Sequence, residues 1–364
     1  MIPLVDLTID KKLRDKITKE ITQVVDSKKY ILGAKLESFE KKFAKFIGVK
    51  YAIGVGNGTD ALRLSLRALG IGRGDKVLTV SLTSPFTAIA VVEEGAIPVF
   101  CDIDEATWTI DVADARKRID RKTRAIIPVH LFGNPCDMSP ILKFAKENHL
   151  KVIEDACQAH GAKYQGKMVG SLGAAAAFSF YPTKNLGAFG DAGIVTTNNS
   201  KLAKMIKCLR HGGQTKRFWH SYIGINSRLD EIQAAILGQK LKVLEVENKK
   251  RVKIAKKYKS NLSRLPIVFQ KKYGRAEPVF HLLAARIRLR NKLIKFLKKN
   301  NIAADIYYPH AITEQPAFRK FVSDELPVTE MLTKELTALP IYPRLSYQNL
   351  DFIIRKIKDF FNVK

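Results

Sequence analysis

The sequence predicts an α/β fold, in which a large domain with a mostly parallel mixed sheet flanked by helices precedes a small α+β domain. Between about residues 50 and 200, short β-rich runs alternate with amphipathic stretches, which is typical of parallel sheets. Side chains suited to chemistry follow several of those runs, as expected where ligands bind at the carboxyl ends of strands. Beyond about residue 250 the alternation gives way to a few strands and helices in mixed order.

The individual elements follow from composition and periodicity. Residues Lys35–Phe46 place four large apolar side chains on one stripe, which predicts an amphipathic helix. Further helices are predicted at Asp60–Leu69, Ser139–Asn148, Arg228–Leu244, Asn291–Lys299 and Tyr347–Phe361. Strands are predicted at Tyr51–Val55, Lys76–Ser81, Ile97–Asp102, Arg124–Val129, Lys151–Asp155, Ala176–Tyr181, Gly193–Thr197, Phe280–Arg288 and Ala303–Tyr308.

The chain of 364 residues is too long for one ordinary core, which favours two domains. The helix beginning near Arg228 is expected to leave the large domain. We therefore predict a large domain at residues 1–245 and a small C-terminal domain at residues 246–364. The N-terminal segment, about residues 1–30, is a candidate to pack on the small domain.

The composition restricts the class of protein. Hydrophobic residues make up 46% of the chain, which is enough for a globular core. No apolar run reaches the roughly 20 residues of a membrane-spanning helix, and the N-terminus has no apolar signal core. The four cysteines have no zinc-type spacing. We therefore expect a cytoplasmic protein with reduced thiols, no metal site and no membrane partner.

The formal net charge of +28 raises the alternatives of a nucleic acid or an acidic small molecule as partner. The basic residues are spread over many segments, which favours a solvated, lysine-rich surface. No recognised nucleic-acid-binding module is present, so we expect no nucleic-acid partner. A diphosphate-bearing substrate would still be attracted by the positive field.

The first candidate site is G-N-G-T-D-A-L, Gly56–Leu62, which follows a strand and opens a helix. Small residues such as Gly58 let the backbone approach an anion. Free amides at a helix N-terminus, together with the Thr59 hydroxyl, can hold a phosphate. The alternative is that Thr59 simply caps the helix.

The second candidate site is V-I-E-D-A-C-Q-A-H-G, Val152–Gly161. The carboxylate of Asp155, at the end of a strand, could hold the protonated nitrogen of a pyridine ring. Its alternative role is to cap the next turn. Gln158 is the neighbour expected to reach a ring oxygen, whereas His160 could as easily be a satisfied structural histidine.

The third candidate site is F-S-F-Y-P-T-K-N-L-G, Phe178–Gly187, in which Lys184 stands just past an apolar strand between Pro182 and a glycine-rich run. A surface lysine needs no such rigid frame. A lysine that bonds to a cofactor carbon and moves a proton does need one. The alternative of a solvated lysine stays open on these residues alone.

Together, the three sites resemble the sugar-nucleotide aminotransferases of the DegT/DnrJ group, within the fold-type I pyridoxal-phosphate (PLP) enzymes. The resemblance covers nearly the whole chain, and its specificity comes from the set of motifs. The further motifs are K-Y-I-L-G (Lys29–Gly33), G-D-K-V-L-T-V (Gly74–Val80), A-I-I-P-V-H-L-F-G (Ala125–Gly133), R-H-G-G-Q (Arg210–Gln214), G-I-N-S-R-L-D-E-I-Q-A-A (Gly224–Ala235) and Y-Y-P (Tyr307–Pro309).

The resemblance implies a fold-type I aminotransferase and a role for each matching residue. Lys184 would form the Schiff base with PLP and move the proton, Asp155 would pair with the pyridinium nitrogen, and Gln158 would touch the ring oxygen. Pyridoxamine phosphate would be the intermediate cofactor form. The phosphate would be held by Gly58, Thr59, the Asp60 amide and Ser179, with Asn226 reaching the phosphate site of the partner subunit of a homodimer. Arg228, Tyr307 and Tyr308 would face the substrate.

Two positions depart from the family pattern. Many members have an aromatic residue that stacks on the pyridine ring, where this chain has Ser84. Phe86, two positions on, is the candidate replacement and is expected near the substrate. Members usually have H-Y-P where this chain has Tyr307-Tyr308-Pro309, so a histidine near the sugar is missing.

The resemblance further implies transamination of a UDP- or dTDP-linked 3-keto hexose or hexuronate, with L-glutamate as donor and 2-oxoglutarate as its product. The amino sugar would serve surface polysaccharide or glycan biosynthesis. N-G-T-D-A-L with G-I-N-S-R-L-D favours the 3-amino branch, and the 4-keto branch is the alternative. Lys184 argues against the dehydratase subgroup, which has histidine there. A non-catalytic cofactor-binding regulator is disfavoured because Lys184 and Asp155 are both present.

Overall fold

The computed structural model describes residues 1–362, so the last two residues of the predicted 246–364 domain lie outside the described residues. Its α-helices are α1 (Lys11–Ser27), α2 (Ala34–Ile47), α3 (Gly58–Ala68), α4 (Phe86–Glu93), α5 (Val112–Arg118), α6 (Met138–Glu147), α7 (Ser200–Leu209), α8 (Glu231–Lys240), α9 (Leu244–Asn261), α10 (Arg290–Lys299), α11 (Pro327–Glu335) and α12 (Tyr347–Phe360). Its strands are β1 (Tyr51–Val55), β2 (Lys76–Val80), β3 (Ile97–Cys101), β4 (Thr123–Ile126), β5 (Lys151–Asp155), β6 (Lys163–Tyr164), β7 (Lys167–Met168), β8 (Ala175–Ser179), β9 (Gly193–Thr197), β10 (Gln214–Lys216), β11 (Trp219–His220), β12 (Val268–Phe269), β13 (Ala276–Glu277), β14 (Leu283–Arg286) and β15 (Leu336–Leu339).

A seven-stranded sheet in the order β1-β9-β8-β5-β4-β2-β3 organises the large domain. The pairs from β8 to β3 are parallel, whereas β9 runs antiparallel to both of its neighbours, β8 and β1. This mixed, mostly parallel sheet confirms the predicted fold class. The seven predicted strands all form, with ends that differ by at most three residues.

Both faces of this sheet are covered by helices, and alternation along β8 shows why. Ala175 and Ala177 pack on the face covered by α3 and α7, whereas Ala176 and Phe178 pack on the face covered by α2. Successive side chains of a strand point to opposite faces, so a strand buried on both faces must be apolar throughout. The A-A-A-F run of β8 meets this requirement.

The C-terminal part forms a second core around the antiparallel sheet β12-β14-β15. Helices α9, α10 and α12 cover it through buried residues such as Tyr258, Leu293 and Ile353. The N-terminal segment contacts both parts of the molecule. Ile2 pairs with Ile302, whereas Leu13 and Ile17 of α1 pack against α8.

Two predicted elements differ from the structure. The helix predicted at Arg228–Leu244 begins at Glu231 and ends at Lys240, and α9 then starts after a three-residue turn. The start is fixed because the Glu231 carboxylate accepts three amides at the N-terminus of α2, those of residues 33, 35 and 36. The strand predicted at Ala303–Tyr308 is wrong. Asp305 pairs with Ala338 in an isolated bridge, after which the chain turns away from the sheet and brings Tyr308 to Phe132.

Candidate active site

The candidate residues meet where β5 and β8 end. These strands are parallel neighbours, with Asp155 in register with Ala177, so Asp155 and Ser179 lie at the same edge of the sheet. The N-terminus of α3 approaches this edge very closely. A Cβ added to Gly58 would lie 2.8 Å from the Cys157 sulfur and 2.8 Å from the Ser179 Cβ, so only glycine fits there.

The N-terminus of α3 has the features of a phosphate cradle. Asn57, and not Thr59, caps the helix, since its side chain accepts the Asp60 amide at 2.8 Å. The alternative role of Thr59 as the cap is therefore wrong. Within residues 1–362, the amides of Gly58 and Thr59 and the Thr59 hydroxyl have no hydrogen-bond partner. The Asp60 amide, by contrast, is already used by the cap.

Asp155 is a buried carboxylate with two fixed donors. The Thr87 hydroxyl donates to its Oδ2 at 2.7 Å, and the Cys157 amide donates to its Oδ1 at 3.2 Å. Thr87 is itself buried, in the first turn of α4. The alternative that Asp155 merely caps the next turn explains the Cys157 contact but not the hydroxyl on the other oxygen.

Gln158 links the end of β5 to the segment that carries Tyr308. Its amide oxygen accepts the Phe132 N–H at 2.9 Å, and its amide nitrogen donates to the Tyr308 hydroxyl at 3.1 Å. The Tyr308 ring stacks on Phe132 with centroids 6.5 Å apart. Burial raises the pKa of Tyr308, so its hydroxyl stays protonated at neutral pH.

Lys184 lies in a tight turn after β8. Its amide donates to the Tyr181 carbonyl at 2.9 Å, and Ala188 closes the loop with a 2.7 Å bond to the Phe180 carbonyl. Gly187 is required because a Cβ there would lie 2.3 Å from the Pro182 carbonyl oxygen. Among the described residues, the Lys184 amine has no hydrogen-bond partner. The residue as a whole is partly exposed.

Burial and two neighbouring side chains influence the pKa of the Lys184 amine. Burial lowers the pKa of its amine, against the opposing influence of Cys157 and Asp155. Burial also raises the pKa of Cys157, so this thiol is neutral and Asp155 is the effective counter-charge. A lysine whose pKa is lowered in this way reaches its nucleophilic, proton-accepting form more readily than a surface lysine.

Other predicted residues are placed around this centre. Tyr307 is half-buried against Tyr308, and Phe86 is 58% exposed at the start of α4, next to Thr87. Arg228 contacts the His211 ring at 3.1 Å. Asn226 is exposed and precedes α8 by several residues, and Asp230 is the N-cap of this helix.

Sequence reasoning missed the supporting residues. Glu154, next to Asp155, is fully buried and accepts three backbone amides of residues 170–173 at 2.8 Å. His130 accepts the Cys136 amide through Nδ1, so its Nε2 carries the proton and donates to Glu154 at 3.2 Å. Ser227 donates to the Asp60 carboxylate at 2.7 Å. His130 lies 24 residues from Glu154 and Ser227 lies 167 residues from Asp60, so these pairs leave no local signal in the sequence.

The donor set fits PLP. The glycine-lined cradle with two free amides suits a phosphate, the buried carboxylate of Asp155 suits a protonated ring nitrogen, and Lys184 supplies an unpaired amine. No group of three or more His, Cys, Asp or Glu in residues 1–362 could hold a metal ion. Nor is any helix in this range long and apolar enough to cross a membrane.

Comparisons with known proteins agree with this geometry. The model of the DegT/DnrJ/EryC1/StrS aminotransferase family matches residues 11–358. The chain is 40% identical to a pleiotropic regulatory protein of Geobacillus stearothermophilus, covering 99% of this chain and 98% of that protein. It is 41% identical to a dTDP-3-amino-3,6-dideoxy-alpha-D-galactopyranose transaminase of Aneurinibacillus thermoaerophilus, covering 99% of each.

Among solved structures, the chain is similar to the DesV protein of S. venezuelae in complex with a ketimine intermediate. The TM-score is 0.96 at 39% identity, with 99% of this chain and 98% of that chain covered. Aminotransferases of this kind are PLP-dependent. The family match over most of the chain and the shared fold lead to one conclusion: this protein is an aminotransferase of the DegT/DnrJ/EryC1/StrS family.

Proposed function

We propose that the protein transfers the amino group of L-glutamate to a UDP- or dTDP-linked 3-keto hexose or hexuronate, using PLP. The product is a nucleotide-linked amino sugar for surface polysaccharide or glycan synthesis in the cytoplasm. The observation that carries this proposal is that buried Asp155, a glycine-lined helix N-terminus and Lys184, whose amine has no hydrogen-bond partner among the described residues, gather at one edge of the sheet.

Each residue has a physical task in this scheme. PLP, when bound, supplies an electron-poor ring that stabilises negative charge beside the transferred nitrogen. Asp155, held by Thr87, keeps the ring nitrogen protonated, and Gln158 orients the ring oxygen. Lys184 anchors the cofactor and, once released, accepts and returns the proton of the reacting carbon as a general base and acid.

The substrate assignment rests on the residues around the cofactor site, on the name of a relative and on the charge of the chain. Tyr307, Tyr308 and Arg228 are the proposed sugar-side residues, and Phe86 is the proposed ring-stacking residue. The name of the Aneurinibacillus relative favours amination at C3. A positive overall charge would attract a nucleoside diphosphate. Amination at C4 is the second candidate.

A panel assay tests the substrate. Purified protein with PLP and L-glutamate is offered UDP- and dTDP-linked 3-keto and 4-keto sugars, and 2-oxoglutarate release is followed. We expect turnover with a 3-keto sugar and none with Lys184→Ala. Turnover restricted to 4-keto sugars would move the protein to the 4-amino branch.

A cofactor-binding regulator is the alternative function, favoured by the name of the Geobacillus relative. Such a protein needs the cofactor site but not a mobile proton on Lys184. PLP binding without amino transfer, across the whole sugar panel and with several amino donors, would favour the regulator.

We further propose a homodimer in which Asn226 of each subunit completes the partner's phosphate site. Asn226 is exposed and pairs with His211 at the base of the β10–β11 hairpin. This hairpin and the residues just after it carry large exposed apolar side chains, with Phe218 80%, Trp219 66% and Ile223 88% exposed. Exposed apolar patches of this kind mark interaction surfaces, and a two-fold pair would bury the patch twice.

Complementation tests the shared site. Lys184→Ala chains are mixed with Asn226→Ala chains under conditions that allow subunit exchange. If sites are shared, one site of each hybrid regains a full set of residues and a fraction of the activity returns. If each chain is self-sufficient, no mixture recovers.

A further inference from the structure

Among the described residues, several buried polar atoms close to the Lys184 loop lack hydrogen-bond partners. Five buried side-chain nitrogen or oxygen atoms of residues 1–362 lack a hydrogen bond, and four of them belong to His160, Asn185 and His281. Both ring nitrogens of His160, the Asn185 Oδ1 and the His281 Nδ1 are in this state. Buried polar atoms are nearly always satisfied, and each orphan costs about 1–3 kcal/mol.

These three residues lie together around the Lys184 loop. Asn185 follows Lys184 directly, and its side-chain nitrogen Nδ2 donates to Oδ1 of Asn248 in α9 at 2.9 Å. Asn248 in turn donates to the His160 carbonyl at 2.8 Å. One helical turn further, Arg251 contacts the His281 carbonyl at 3.5 Å. A single face of α9 therefore holds the Asn185 side chain and the backbones of His160 and His281 in one region.

The walls of this region explain why the protein itself cannot satisfy them. The His160 ring packs between Phe178 and Phe180, with centroid distances of 5.4 and 5.6 Å. The Ser179 carbonyl lies close to the ring, yet neither ring nitrogen has a partner at hydrogen-bond geometry. An imidazole held in this way offers one donor and one acceptor to any small polar molecule beside it.

We propose that His160, Asn185 and His281 form a buried water-binding chamber that solvates the ammonium form of Lys184 and positions its amine. Ordered water in proteins makes two to four hydrogen bonds to such otherwise unsatisfied groups. The chamber gives the Lys184 amine polar neighbours in addition to the Asp155 carboxylate. The residues act through water on Lys184, so they are positioning residues and not catalytic ones.

The protonation states of the histidines agree with this role. Burial and the charge of Lys184 lower the pKa of His160 to about 3, and burial likewise lowers the pKa of His281. Both rings are therefore neutral at physiological pH and contribute dipoles without adding a second positive charge. A neutral dipole next to an ammonium stabilises the charged form.

Other charged groups also lie near the Lys184 loop. Asp155 lies at the end of β5, beside the neutral Cys157 thiol. A small cavity beside Lys184 and Asn185 is lined by the charged side chains of Asp6, Lys240, Glu247, Arg251 and Arg344. The variants below leave all of these groups in place, so a change in the Lys184 amine reports on the chamber.

The inference rests on the proposed role of Lys184, but its test does not need activity. In the protein without PLP, the rate of Lys184 acetylation by acetic anhydride is measured against pH by peptide mass spectrometry. We expect His160→Phe, which keeps a packed ring but removes both nitrogens, to lower the Lys184 pKa by about one unit. His160→Gln, which retains a donor and an acceptor, should restore most of it.

Controls distinguish a specific change in the Lys184 pKa from a general disturbance of the folded structure. Burial also lowers the pKa of Lys259, which should titrate alike in His160→Phe and His160→Gln. If His160→Phe does not fold, His281→Phe and Asn185→Leu provide the same test. An unchanged Lys184 pKa in every folded variant would overturn the chamber while leaving the transamination proposal intact. A wild-type protein that labels as expected but transfers no amine would overturn only the latter.

Discussion

Thr87→Val tests how Asp155 is held. The substitution keeps the shape of the side chain but removes the hydroxyl that lies 2.7 Å from Asp155 Oδ2, in a position 1% exposed. A hydrogen bond to a charged group contributes about 1.5–3 kcal/mol, and about 1.4 kcal/mol is a factor of ten. We therefore expect the turnover number to fall roughly 10- to 150-fold, because Asp155 must hold the ring nitrogen without its fixed donor.

The assay follows 2-oxoglutarate release at saturating substrate and PLP, with the free energy of unfolding measured in parallel by urea denaturation. Thr79→Val is the matched control, since Thr79 is equally buried but donates to the Ile127 carbonyl at 3.1 Å. Both variants should lose stability, by about 1 kcal/mol or more. Only Thr87→Val should lose turnover. Equal turnover in the two variants would refute the role of the Thr87–Asp155 bond.

Three further predictions follow from the site. Gly58→Ala should weaken PLP binding at least about tenfold, as titrated by PLP absorbance, and should cost about 1–3 kcal/mol of stability through overpacking. Gly238→Ala is the control, because a Cβ there meets open space and PLP affinity should be unchanged. Asp155→Asn should reduce turnover on the order of a hundredfold or more with a much smaller change in PLP affinity, and near-normal turnover would exclude its electrostatic role. The pKa of His160 is about 3 in the folded protein, whereas an unfolded histidine titrates near 6.5. The free energy of unfolding should therefore fall as pH drops below about 6.5, by up to about 1.4 kcal/mol per pH unit for that residue. His160→Phe should flatten this slope in urea denaturation.

The strands, and the positions of Asp155 and Lys184 relative to them, could be predicted because their signals are local. An apolar run such as β8 must be a buried strand, and Asp155 and Lys184 follow the ends of neighbouring strands. Parallel packing then brings them together without further information. Helix ends were less well predicted. The start of α8 at Glu231 depends on hydrogen bonds from the distant N-terminus of α2 to the Glu231 carboxylate.

What could not be predicted depends on contacts between distant residues. Thr87 reaches Asp155 across 68 residues, and Gln158 reaches Tyr308 across 150. The choice of Asn57 over Thr59 as the cap of α3 depends on a backbone conformation that both residue types can adopt. The orphaned state of His160 is a property of its aromatic surroundings, which no spacing of residues reveals.

The most direct test of the account is to identify the lysine that bonds to PLP. The purified protein is incubated with PLP, reduced with borohydride, digested and analysed by peptide mass spectrometry. The account predicts the pyridoxyl-phosphate mass on the peptide that contains Lys184, and loss of both this label and the visible cofactor absorbance in Lys184→Ala. A specific label on a different lysine, retained in Lys184→Ala, would contradict it.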